Sequence, residues 1–201
     1  MYDILFRGGP LVVPIAICSL LALTVFLERL WVLRRSRVIP DGFVNRIHEM
    51  IDERRVSDAL LLCEENKNPM ANIMEAALRN AQKERGHIKE MVEEVGKHEG
   101  AQLEQYIEVI GTCAAISPLM GLLGTVTGMM EVFRRVEEVG LGDPSAFASG
   151  IWQALITTAI GLSVAIPAFI FYKYLLGRVD GLLIEMEERS LRLIDLVAND
   201  A

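Results

Sequence analysis

The chain has 201 residues, is 52% apolar by count and carries a formal net charge of −7. Its apolar residues are not spread evenly but gather in three blocks separated by charged, helix-favouring sequence, which excludes an ordinary soluble domain and points to an all-α integral membrane protein. No basic patch suggests nucleic acid, and Cys18, Cys63 and Cys113 have neither metal nor disulfide spacing.

Residues 1–37 form the first unit. The run from Gly8 to Leu27 is long enough to cross a bilayer, with Arg7 before it and Glu28, Arg29, Arg34, Arg35 and Arg37 after it. This order is that of a stop-transfer segment, not of a cleaved signal. The positive-inside rule places the basic side in the cytoplasm and the N-terminus outside. The span is bulky on most faces, as suits a helix against lipid.

Residues 38–105 read as a cytoplasmic helical region. Phe43, Ile47, Met50 and Ile51 recur at helical spacing. Ser57 is placed to cap a short helix carrying Ala59 to Leu62. Asn68-Pro69 reads as N-cap and first helical residue, and Gly86 as a break. From Ile88 to Glu138 no strong stop signal occurs, so one continuous helix of roughly 75 Å is expected, bent at Pro118.

The second span, residues 106–133, has no charged side chain between Glu108 and Glu131. A short outer loop follows at 134–148, where Asp143-Pro144 reads as the start of the next helix. The third span, 149–173, returns inward and continues as a C-terminal helix, 174–201, with Leu182, Leu183, Met186, Leu193, Ile194 and Val197 as its apolar positions. Arg7, Arg134 and Arg135 are the only Lys or Arg residues on the outer side, so the topology is N-out, C-in.

The two inner spans are rich in small and hydroxyl residues. Ala114, Pro118, Gly121, Thr125 and Gly128 share one helical face, and Ala154, Thr158, Gly161 and Ala165 share another. Gly124 adds to the first wall; Gln153 and Thr157 add polar groups one turn nearer the outside. Two readings stand side by side. Small residues let membrane helices pack closely, with Thr hydroxyls bonding back to their own helix. Alternatively the faces line a polar path for a proton or ion. Neither inner span has an Asp, Glu, His or Lys at its middle, so a proton carrier would have to come from another chain. Glu131 sits at the outer rim, an interfacial charge or a gatherer of cations.

Nothing suggests an enzyme: no catalytic constellation is present. His48, His87 and His98 lie in cytoplasmic helices without metal-site spacing, and the glycines of GLLGTVTG lack the lysine of a phosphate loop. No cofactor and no metal are expected.

FLERLWVLRR at Phe26–Arg35, SPLMGLLGTVTGMMEVF at Ser117–Phe133 and ALITTAIGLSVAIPAFIFY at Ala154–Tyr172 resemble the MotA/TolQ/ExbB proton-channel family, in its ExbB/TolQ branch. The resemblance covers nearly the whole chain. It implies a homopentamer in the bacterial inner membrane whose second and third spans line a pore. The pore would hold single-span helices of an ExbD/TolR-like partner, whose membrane Asp carries the proton. A TonB- or TolA-like transducer would pass the work to the outer membrane. The family's pore threonines fall on Thr125 and Thr158. One position departs: relatives carry an acid where this chain has Gln153, which cannot titrate. The different-class alternative is a membrane scaffold that conducts nothing.

Overall fold

The computed structural model describes residues 9–140 and 144–199. Among them the structure is all-helical: α1 Val12–Val32, α2 Arg35–Val38, α3 Asp41–Asp52, α4 Val56–Glu65, α5 Pro69–Arg79, α6 Arg85–Glu104, α7 Ile107–Val139 and α8 Pro144–Asn199. The segments Val12–Val32, Ile107–Glu138 and Ala148–Val197 are long and apolar enough to cross a membrane. Arg7 and the Asp143 cap lie outside the described residues; the helix after Asp143 does begin at Pro144.

Two compact units emerge. The first contains α1 up to Glu28, α7 and α8 up to Tyr174; the second runs from Arg29 to Gln105 and resumes at Leu175.

In the first unit, no more than a third of each apolar window is buried by the chain itself. Val12, Ile15 and Ala22 are the buried apolar positions of α1, while Val13, Ile17, Leu20, Leu23 and Leu27 are exposed. On α7, Leu119, Leu122, Leu123 and Val126 are exposed as well. Apolar surface on this scale needs lipid or further chains against it. At the far end of the unit, Phe26 stacks on Phe171 with ring centroids 4.0 Å apart. Tyr172 covers Gly111, where an added Cβ would come within 2.9 Å of its ring. Its hydroxyl donates to Glu108 at 3.3 Å.

The second unit packs α3–α6 and the C-terminal part of α8 around an apolar core. Val44, Ile47 and Ile51 face inward from α3, Met70, Met74 and Ala77 from α5, and Leu182, Met186, Leu193 and Ile194 from α8. Leu183 is half-buried and packs against Gly100 of α6. Asn68 caps α5 as the sequence suggests: its side chain accepts from the Ala71 N–H at 2.9 Å. Such a cap contributes about 1 kcal/mol. Cys63 is buried, and burial pushes its thiol up to about 12, an inert group. All three cysteines are free.

Three local expectations are corrected. Ser57 lies inside α4, which starts at Val56 with Arg55 in the cap position. Gly86 lies inside α6; the chain leaves helix between Arg79 and Arg85 instead. The expected continuous helix over 88–138 is two helices, broken at Gln105-Tyr106, where Tyr106 has φ +66°. A left-handed residue ends the run of i→i−4 bonds, so α7 starts afresh at the foot of its apolar segment.

Arg35 joins two distant parts of the second unit. It donates to Asp41 at 2.9 Å and to Glu185 of α8 at 2.9 Å, and Arg189 adds a bond to Asp41 at 3.2 Å. Hydrogen bonds from Arg35 hold the Asp41 and Glu185 carboxyls below the usual range. With folded pKa values below unfolded ones, the cluster stabilises above about pH 4 and fades as pH falls through the lowered values. Wild type therefore melts above Arg35→Gln at pH 7, and the gap in Tm narrows on going to pH 3. A gap that stays constant over that range would show that these charges do not set it.

The His48 pKa is lowered too, by burial first and then by the Arg189 charge. Its Nε2 is buried without a hydrogen-bond partner among the described residues. The residue as a whole is half-buried.

Candidate functional site

The site lies in the first unit, where α7 and α8 meet through glycines. A Cβ at Gly161 would stand 2.6 Å from the Ser117 carbonyl and 3.1 Å from Gly121 Cα. One at Gly121 would meet Thr158 Cα at 3.0 Å, and one at Gly128 the Ala154 methyl at 3.1 Å. Gly124 sits directly against the Thr157 side chain. The backbones approach this closely because no side chain intervenes. Hence Ser117, Gly121, Gly124 and Gly128 form the contact face of α7. Ala114 is buried beside them, while Pro118 and Thr125 are only half-buried. On α8, Ala154, Thr157, Gly161 and Ala165 are buried and Thr158 is half-buried.

The hydroxyls sort into two kinds. Thr125 donates to the Leu122 carbonyl at 2.6 Å, Thr157 to Gln153 at 3.0 Å and Thr127 to Leu123 at 3.0 Å. These are bonds within their own helix. Thr158 instead donates across the interface to the Gly121 carbonyl at 2.9 Å. Its one proton is thus committed, and its oxygen keeps lone pairs for a second partner.

At the level of Gly121 and Thr158 the two faces are in direct contact. Toward the Gly128 and Gln153 end of the same interface a cavity of about 230 Å³ opens. It is lined by Gly124, Thr127, Gly128, Glu131, Arg135, Gln153 and Thr157, with Gly9 closing one side. A cavity of this size and polarity has room for several waters. Gln153 and Thr157 therefore share a site with Glu131, which the sequence placed separately at the rim. Glu131 is held by Arg134 at 2.9 Å and Arg135 at 3.2 Å. Thr127 and Arg135 were missed. Their signal was present: 127, 131 and 135 repeat every four residues and so extend one face. Pro118, Thr125, Thr158, Ala114 and Ala165 lie outside this cavity. No cluster of His, Cys, Asp or Glu able to hold a metal occurs among the described residues.

Fold and site define a class: a multi-pass helical membrane protein with three candidate spans, two of them joined by glycines beside a polar cavity. The model of the MotA/TolQ/ExbB proton channel family matches residues 65–188. The chain belongs to that family. It is 32% identical over 179 residues to a biopolymer transport protein ExbB homologue of Methanothermobacter thermautotrophicus, covering 88% of this chain and 63% of the relative. To the biopolymer transport protein ExbB of Pseudomonas putida it is 24% identical, over 98% of this chain and 63% of the relative. To the Tol-Pal system protein TolQ of Pseudomonas aeruginosa it is 41% identical over 85 residues, 42% of this chain and 37% of the relative. The chain thus spans less than two thirds of the length of these relatives.

Proposed function

We propose that the chain is one subunit of an inner-membrane motor driven by the proton motive force, with its N-terminus periplasmic and its C-terminus cytoplasmic. Five copies form a ring around single-span helices of an ExbD/TolR-like partner, whose membrane Asp carries the proton. A TonB- or TolA-like protein delivers the resulting movement to the outer membrane. Family membership supports the class of activity, and the exposed apolar faces of α1 and α7 support assembly with lipid and further copies.

The observation that carries the reading is Thr158. Close packing at Gly121 needs a small residue, and alanine would serve. A hydroxyl whose proton is already given to Gly121 offers an acceptor to a protonated carboxyl or a hydrated proton. No residue between Glu108 and Glu131, nor between Gly150 and Tyr172, is an Asp, Glu, His or Lys, so the titrating group is borrowed. Gln153 can orient water or hydrogen-bond the partner's Asp but cannot relay a proton by ionising. One charge moving through 100 mV releases about 2.3 kcal/mol, enough for a small step that exchanges a few contacts.

The scaffold alternative draws on the hydroxyls that bond within their own helix, a pattern packing alone explains. Affinity purification from native membranes with native mass spectrometry separates the two. Five copies carrying a small single-span protein with one membrane Asp support the motor. Repeated recovery of the bare oligomer supports the scaffold.

At the cavity mouth Glu131 offsets part of the charge of Arg134 and Arg135. Glu131→Gln strips Arg135 of its carboxylate and leaves Arg134 only the longer contact to Glu138 at 3.9 Å, so cation flux falls several-fold at low salt and recovers near 1 M, where screening reaches only about 3 Å. Equal flux at both salt concentrations in variant and wild type would remove Glu131 from the path.

A further inference from the structure

The second unit holds a groove that the proposed proton path does not use. It has a volume of about 360 Å³ and is lined by Val32, Arg37, Val38, Lys67, Pro69 and Leu103. Val32 is the last residue of α1, so the groove begins where the first candidate span ends. Four of its six residues are apolar and two are cationic. Among the described residues, no carboxylate forms an ion pair with Arg37 or Lys67; Arg35, two residues away, is by contrast fully engaged with Asp41 and Glu185.

Arg37 is also held in place. Its guanidinium lies over the Trp31 ring, 3.4 Å from the centroid, and Trp31 itself is 54% exposed. An interfacial tryptophan fixes depth in a bilayer. A stacked guanidinium keeps its N–H edges free for the oxygens of a phosphate. The first turn of α5, which Pro69 brings to the groove, adds the positive end of a helix.

We infer that this groove binds the headgroup of an anionic phospholipid, with Arg37 and Lys67 on the phosphate and the acyl chains running along Val32 into the bilayer. The occupant is a lipid because the two cations sit at the end of a span and the remaining lining is apolar. A soluble anion would have no use for that lining. The inference requires the chain to cross a membrane but does not depend on proton conduction.

The test uses the full-length protein, purified in mild detergent and exchanged into nanodiscs containing equal parts of phosphatidylglycerol and phosphatidylcholine. Native mass spectrometry then counts retained lipid. Wild type is expected to retain phosphatidylglycerol over phosphatidylcholine, and the double variant Arg37→Ala/Lys67→Ala to lose that preference about tenfold. Arg46→Ala/Lys83→Ala, which removes the same charge elsewhere, should keep it. Equal retention in wild type and the Arg37/Lys67 variant would overturn the inference. So would displacement of the lipid by millimolar inorganic phosphate, which would mark a soluble-anion site. A change in the number of copies with unchanged lipid would instead assign the groove to contact between subunits, and would also overturn it.

Discussion

Replacing Gly161 with valine forces α7 and α8 apart and lowers stability by about 3 kcal/mol, near the upper end for overpacking. The cost is high because the atoms in the way belong to backbone. An added Cβ meets the Ser117 carbonyl at 2.6 Å and Gly121 Cα at 3.1 Å, and neither can rotate aside. Even alanine should be destabilising here. Gly177 and Gly181, further along the same helix, have nothing within 4 Å of a built Cβ. Alanine at either should leave stability unchanged or raise it by up to about 1 kcal/mol, because glycine is the poorer helix former. Unfolding in detergent, followed by loss of helicity against denaturant, measures both. A Gly161→Val protein as stable as wild type would mean that the glycine contact does not hold the spans together.

Thr158→Ala should abolish proton-driven function while leaving the assembly intact. The hydrogen bond removed is a single membrane hydroxyl contact, of the order of 0.6 kcal/mol by the measured average for such bonds. Thr158→Ser restores the hydroxyl and should restore most activity; Thr158→Val keeps the volume without it and should not. Thr125→Ala should likewise assemble and fail, although its hydroxyl bonds within its own helix. Assembly is read by the mass of the purified complex and function by partner-dependent transport in cells. Full activity of the Thr158 and Thr125 alanine variants would leave the scaffold as the better account.

The gross architecture was legible in the sequence because membrane spans are written in long uninterrupted apolar runs, and α5 because Asn68-Pro69 combines a side-chain acceptor with a preset φ. The break at Tyr106 was not. It uses neither glycine nor proline, and only tertiary context holds a tyrosine at positive φ. The bridge from Arg35 to Glu185 joins residues 150 positions apart, and one pairing among so many exposed charges leaves no periodic trace.

At the site, small-residue spacing identified the two walls but not which rows meet. Of the sequence stripe, Gly121 and Gly128 fall on the row Ser117–Gly121–Gly124–Gly128 that carries the contact, while Pro118 and Thr125 lie beside it, half-buried. A helix face is wide enough for both, and only the partner helix selects between them. The distinct role of Thr158 was also hidden, because whether a hydroxyl bonds its own helix or its neighbour depends on the approach of the second backbone.

The central claim is that these subunits conduct only with a borrowed carboxylate. Proton uptake into proteoliposomes, driven by a potassium diffusion potential, tests it most directly. The purified oligomer alone, the oligomer with the proposed single-span partner, and that complex with the partner's membrane Asp changed to Asn are compared at equal protein. Uptake is expected in the second preparation alone. Equal uptake by the bare oligomer would contradict the account and place the proton path in groups of this chain.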